Sequence, residues 1–358
     1  MVENDGTIRV GPKNNRIVSS AEPVAWSIAA DGKGVIYLGT GHSAHLLKIE
    51  NGVAKVIYEG PEVAVSALAL DKAGNLYAGM SPGGRVLRFN PNGTHQVVLQ
   101  TTQTFVHALA FDAAGNLLVA TGGEAGAVYK VNPNAAAEAA PKPLAVLPQK
   151  HARSLAVSGD SIYVGTSEEA ILYRVDALGK VSALYQATGT NSNSGSDVPS
   201  STNSGPAPSN QTIVIGGPAS PATNPNTAMI MNGASGLLPG GGGSSGSGNE
   251  ILALVSVGDT LYFGTSNSGS IYRWSLASGI QEVFKTPGRA VYALQLVDGA
   301  LYAGIGESGE VWRIANLNGD VVGARVLDTN QPQILALTAV GSQVFAATGN
   351  NAAVYEIG

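Results

Sequence analysis

Residues 63–89 read VAVSALALDKAGNLYAGMSPGGRVLRF, three short apolar runs separated by an Asp-Lys-Ala-Gly-Asn turn and a Ser-Pro-Gly-Gly turn. Alternation within the runs and the turn residues between them predict three antiparallel strands, none long enough to stand alone. The pattern returns in FVHALAFDAAGNLLVATGGEAGAVYKV from Phe105, HARSLAVSGDSIYVGTSEEAILYRV from His151 and ILALVSVGDTLYFGTSNSGSIYRW from Ile251. It returns again from Ala290 and Ile334, and the first copy starts at Val24. Aligned on the middle strand at Tyr37, Tyr77, Leu118, Tyr163, Tyr262, Tyr302 and Phe345, the copies step by 40, 41, 45, 99, 40 and 43 residues.

A period near 40 residues with several strands per unit is the signature of propeller blades. Between copies lies a further apolar run, such as Val97-Val98-Leu99 or Arg325-Val326-Leu327, which supplies an outer fourth strand. The seventh copy lacks one. The segment RIVSSAEPVAWSIA from Arg16 repeats the layout of RVLDTNQPQILALT from Arg325, so residues 16–19 are expected to complete the last blade. The expectation is an all-β, seven-bladed β-propeller of four-stranded antiparallel blades, closed by the N-terminal strand, with no open edge between blades. The blades span residues 24–60, 64–101, 105–148, 151–187, 250–286, 289–329 and 333–358, and residues 7–10 are read as a short extra strand. One propeller domain covers 1–358.

The step of 99 residues holds an insertion, residues 188–249, between blades 4 and 5. It is built of Ser, Asn, Gly, Pro and Thr and ends in GGGGSSGSG. That composition cannot bury enough apolar surface to offset the cost of ordering. Its attachment points lie on the top face, at the start of the inner strands, where it could drape over the channel mouth.

Composition narrows the function. The net charge of -5 gives no reason to expect nucleic acid, and no apolar run is long enough for a membrane span. Without cysteine, disulfides, thiol catalysis and thiolate metal sites are excluded. No cofactor or metal is expected, and the chain is read as a monomer. MVENDGTIRVGP lacks the apolar core of a signal peptide. The abundance of Gly and Asn, the low charge and the insertion lean toward a periplasmic or extracellular protein whose leader is absent, with a cytoplasmic location as the alternative.

The third strand carries a base at one fixed place: Lys48, Arg88, Lys130, Arg174, Arg273 and Arg313. The first hairpin carries an acid: Asp31, Asp71, Asp112, Asp160, Asp259 and Asp298. Blade 7 lacks both. Loss of the acid where the base is lost predicts structural pairs within blades rather than a ring that binds anions.

Each inner strand holds a small residue followed by Leu or Ile (Ala108-Leu109, for example). The residue before them changes from blade to blade: Trp26, Ser66, His107, Arg153, Leu252, Tyr292 and Leu335. Variation beside repetition marks the lining of a funnel. With nearby Lys150, His151 and Arg289, the residues Trp26, His107, Arg153 and Tyr292 form a candidate ligand site for a small anionic or sugar-like molecule, or for a partner's side chain. The competing reading makes Trp26 and Tyr292 wedges between blades, with His107 and Arg153 satisfying backbone carbonyls. No catalytic set is assigned: no nucleophile elbow, P-loop, dinucleotide fingerprint or calcium loop occurs. His42 and His45 lack an acidic third ligand from their own blade.

The units LYAG…GGRVLRF and LYFGTSNSGSIYRW resemble bacterial propeller repeats of the broad NHL and WD-like superfamily. The form DxxGNLYxGT…GxVYRV is similar to that of large secreted bacterial propellers without an assigned activity. Gly41-His42 is the one Gly-His dipeptide, and Trp-Asp is absent. Gluconolactonase-like propellers imply six blades and an axial metal, and quinoprotein dehydrogenases imply a Trp-docking repeat; neither pattern is present. The expected function is a non-enzymatic binding or interaction propeller, whose partner at the top face is a protein, a carbohydrate or a small molecule. The alternative is a propeller hydrolase, lyase or lactonase-like enzyme with a funnel built on His107, Arg153 and Tyr292.

Overall fold

The computed structural model describes residues 14–137, 141–186 and 250–358. The insertion at 188–249 and the strand expected at 7–10 lie outside the described residues. The described residues form seven separate four-stranded antiparallel sheets. Their inner strands are Ala25–Ala30, Ala64–Leu70, Phe105–Phe111, Ala152–Ser158, Ile251–Val257, Val291–Val297 and Ile334–Val340. Each inner strand packs against the inner strands of both neighbouring blades, and the last packs against the first, so the seven make a ring. The sheet order of the last blade ends on the N-terminal strand Asn14–Ser19, which pairs with Ala353–Ile357. Arg16 lies opposite Tyr355 and Ser19 opposite Ala353, as the sequence layout requires.

Two features set the spacing between blades. The first is the Gly of the repeated Tyr-x-Gly element. A Cβ on Gly79 would lie 2.9 Å from the Cβ of Val106, and one on Gly264 would lie 2.6 Å from the Cβ of Val291. Each of these glycines therefore admits a β-branched side chain from the next blade's inner strand. The second is a hydroxyl stitch. Ser27 Oγ donates to the Val65 carbonyl at 2.8 Å, and Ser154 Oγ donates to the Ile251 carbonyl at 2.9 Å, both buried. Around these contacts Ile28, Leu68, Leu109, Leu155, Leu254, Leu294 and Leu337 are buried, each stabilising the ring by about 1.5–3 kcal/mol.

The expected acid–base pairs form in one blade among the described residues, where Lys130 Nζ meets Asp112 Oδ2 at 2.9 Å. In blades 1 and 2 the hairpin acid is held by its own turn. Asp31 Oδ1 accepts from the amides of Lys33 and Val35, and Asp71 Oδ1 accepts from those of Ala73 and Asn75, all at 2.9 Å. An Asp opening such a turn directs its oxygen to backbone amides two and four residues on. The bases are used differently as well. Arg88 donates to the Pro133 carbonyl at 3.1 Å and Arg273 to the Leu317 carbonyl at 2.9 Å, each clasping the following blade. Lys48 pairs with Glu50 instead.

Candidate functional site

Every inner strand carries one β-bulge near its top end. The register skips between Ala25 and Ser27, Val65 and Ala67, Val106 and Ala108, and Ala152 and Ser154. It skips likewise between Ile251 and Ala253, Val291 and Ala293, and Ile334 and Ala336. The bulged residues are thus Trp26, Ser66, His107, Arg153, Leu252, Tyr292 and Leu335, the seven that vary in type. A bulge takes one residue out of the ladder and re-aims its side chain. The fold repeats the device seven times and the sequence fills it differently each time.

Ser66, His107, Arg153, Leu252 and Leu335 are buried, whereas Trp26 and Tyr292 are partly exposed. Ser66 joins the stitching, donating to the Val106 carbonyl at 2.6 Å and lying 2.8 Å from Ser81 Oγ. Leu252 and Leu335 are apolar filling. The chemistry falls to blades 3 to 6.

Arg153, 2% exposed, places a terminal guanidinium nitrogen 2.7 Å from Nδ1 of His107. His107, 7% exposed, places Nε2 3.0 Å from Nδ1 of His151, which is partly open to solvent. His107 is thus held by the Arg153 and His151 side chains. Phe105 stacks on His107 with ring centroids 5.7 Å apart and tilts over His151 at 5.8 Å. Gly122 leaves the room for both rings: a Cβ there would lie 2.7 Å from His107 Nε2 and 2.9 Å from His151 Cγ. Gly41 and Gly306 hold the same place beside Trp26 and Tyr292. The corresponding register position is Ser81 beside Ser66 and Ser167 beside Arg153. All three ring-bearing bulge residues thus face a Gly directly after the second strand's last buried Thr or Ile; blade 7 has such a Gly too, Gly349, beside the non-aromatic Leu335.

The electrostatics follow from burial. Burial first, then the charges of Arg153 and His151, hold the His107 pKa well below the usual histidine value. His151 is lowered by burial and by Arg153, with Glu168 and Glu250 opposing. Both rings are therefore neutral at pH 7. Burial lowers the Arg153 pKa, while Glu250 and Tyr292 act to raise it. Burial, followed by Glu250 and Glu307, raises the Tyr292 phenol, which keeps its proton. Glu250 thus acts on His151, Arg153 and Tyr292 together and belongs to the cluster, although it lies one residue ahead of its inner strand.

The expected site is brought together in part. His107, His151, Arg153 and Tyr292 converge. Lys150 is exposed and contributes a positive charge that lowers the His151 pKa. Arg289 is exposed and faces Glu307 at 3.8 Å. Trp26 lies in blade 1 against Gly41, on the other side of the ring. Among the described residues no three His, Asp or Glu side chains are grouped to hold a metal ion.

No known protein family matches the chain, and no curated protein matches its sequence. Solved structures do match. A catalytically inactive histidine-to-alanine variant of virginiamycin B lyase from Staphylococcus aureus, with quinupristin, aligns over 97% of this chain and 99% of its own, with TM-score 0.67 and 12% identity. The WD40 propeller domain of Doa1 aligns over 97% of both chains with TM-score 0.64 and 10% identity. The extracellular domain of the one-component system BT4673 from B. thetaiotaomicron covers 97% of this chain, which spans 40% of that one, with TM-score 0.61 and 13% identity. At such identities the likeness is one of fold, and it places WD40-like propellers among this chain's structural neighbours. It also corrects the expected function. Solved structures similar to this chain include virginiamycin B and streptogramin B lyases, and with them the expectation of a purely non-enzymatic interaction propeller is set aside.

Proposed function

We propose that this chain is an enzyme of the hydrolase or lyase kind, acting on a small, carbonyl-bearing anionic substrate at the top of blades 3 to 6. The observation that carries this reading is the convergence of Arg153, His107, His151, Glu250 and Tyr292, contributed by three bulges and two connections of four blades. A buried, hydrogen-bonded chain of ionisable groups ending at a partly solvent-open imidazole is costly to build as packing alone. Glu250 is the group able to take a proton, and Tyr292, held protonated, is able to donate a hydrogen bond to a developing negative charge. Arg153 and Lys150 bias the site toward an anion. The lyases among the structural neighbours, one of them with quinupristin, support the enzymatic class without identifying the substrate here. The extracellular propeller among the neighbours supports an exported location.

The test is a turnover assay of the full chain against a panel of carboxylated esters and lactones, followed by mass spectrometry. Turnover is expected for the wild type and is expected to fall at least tenfold in Glu250→Gln and Tyr292→Phe, with unchanged thermal melting. A panel without turnover, or equal turnover in both variants, removes the reading.

A further inference from the structure

The geometry points to a fixed direction for the Arg153–His107–His151 chain, in which Arg153 is a positioning residue and His151 meets the substrate as a neutral N–H donor. A guanidinium has only donors. The His107 nitrogen facing it at 2.7 Å is Nδ1, which must therefore accept. A neutral imidazole carries one proton, so His107 bears it on Nε2. That nitrogen faces His151 Nδ1 at 3.0 Å, which must accept in turn. The proton of His151 is then on Nε2, which has no protein partner among the described residues.

The consequence is restrictive. For His151 to act as a base, its lone pair would have to sit on Nε2 and its proton on Nδ1. That proton would point at the Nε2 proton of His107, two donors 3.0 Å apart, and His107 could not give way while Arg153 donates to its other nitrogen. Protonated His151 meets the same obstacle. Lys150, Glu168 and Glu250 surround the ring, and the aromatic face of Phe105 adds no acceptor. The substrate atom that His151 receives is accordingly a hydrogen-bond acceptor, such as a carbonyl oxygen, and not a hydroxyl awaiting deprotonation. Proton removal then belongs to Glu250. This assignment rests on the reading of the site as catalytic only for the word substrate; the proton positions are a property of the resting protein.

The test reads those positions directly. The full chain is labelled with 15N-histidine, and long-range proton–nitrogen spectra are recorded at about pH 7.5 without ligand, with His151→Asn used for assignment. The expected result is that both rings populate the Nε2–H form alone. A His151 ring with its proton on Nδ1 overturns the inference. Arg153→Met, which keeps length and loses every donor, is expected to convert the single form of each ring to a mixture of both. Arg153→Lys, which retains a donor, is expected to restore the single form, and it serves if the methionine variant does not fold. An Arg153→Lys spectrum with mixed forms overturns the positioning role. Correct proton positions with no turnover in the panel would remove the proposed enzyme and leave the chain's direction standing.

Discussion

Gly122→Ala is the smallest perturbation that strikes the site. The added methyl would lie 2.7 Å from His107 Nε2 and 2.9 Å from His151 Cγ, where ordinary contacts begin at 3.4 Å. His107 would have to retreat by about 0.7 Å, yet it is buried, stacked on Phe105 and tied to Arg153. The half-open His151 is the ring that can move, and moving it breaks the 3.0 Å bond between the imidazoles. Overpacking of this kind costs about 1–3 kcal/mol, and the lost hydrogen bond adds roughly 1 kcal/mol. The expected loss is therefore about 2–4 kcal/mol, read as a lowered denaturant midpoint together with displaced His107 and His151 ring signals. Gly32→Ala is the control. A Cβ at Gly32 meets nothing within 4 Å, and the substitution is expected to be neutral or to stabilise by about 0.4–1 kcal/mol through the unfolded chain. A Gly122→Ala protein as stable as the Gly32→Ala protein, with unmoved histidine signals, would refute the argument that glycine makes the room for this site.

Two further outcomes follow from contacts described above. The folded pKa of His107 lies below its unfolded value near 6.5, so the unfolded chain takes up the proton first as pH falls. The stability from this source is complete above about pH 6.5 and is lost below it, with a slope approaching 1.4 kcal/mol per pH unit, roughly. His151 acts in the same sense but more weakly, because it is partly exposed. Equilibrium unfolding of wild type and His107→Gln between about pH 7.5 and 5 should diverge, and parallel curves would contradict the buried, neutral assignment. Ser154→Ala leaves the buried Ile251 carbonyl without its 2.9 Å donor, at an expected cost of about 1–3 kcal/mol. Ser158→Ala, whose bond to the Gly258 carbonyl is exposed, should change chemical-denaturation midpoints little; equal losses in the two would deny the stitch its role.

The blade count and the closing strand were legible because both rest on period and alternation, which survive divergence of individual residues. The seven positions were singled out as variation at one place in an otherwise repeated strand, His107, Arg153 and Tyr292 among them, but the bulge that sets them apart was not foreseen. The acid–base pairing was misread for a local reason. Asp31 and Asp71 sit where a tight turn offers two amides to one carboxylate oxygen, and those amides are always present, whereas a Lys or Arg on a twisted third strand is free to reach the next blade. The contribution of Glu250 was only partly visible, because a residue in a connection has no register to align. The direction of the histidine chain was not visible at all. It depends on which ring nitrogen faces which neighbour, and no spacing in the sequence records that.

The pairing of Asn14–Ser19 with Ala353–Ile357 also governs the order of events during synthesis. The earliest of these strands leaves the ribosome with its partner still more than 300 residues away. Until that partner emerges, the first blade's neighbour is missing on one side and the newborn N-terminal strand has nothing to hold. A polypeptide halted short of residues 353–357 would leave Asn14–Ser19 without the strand it pairs with, and the ring unshut at that blade.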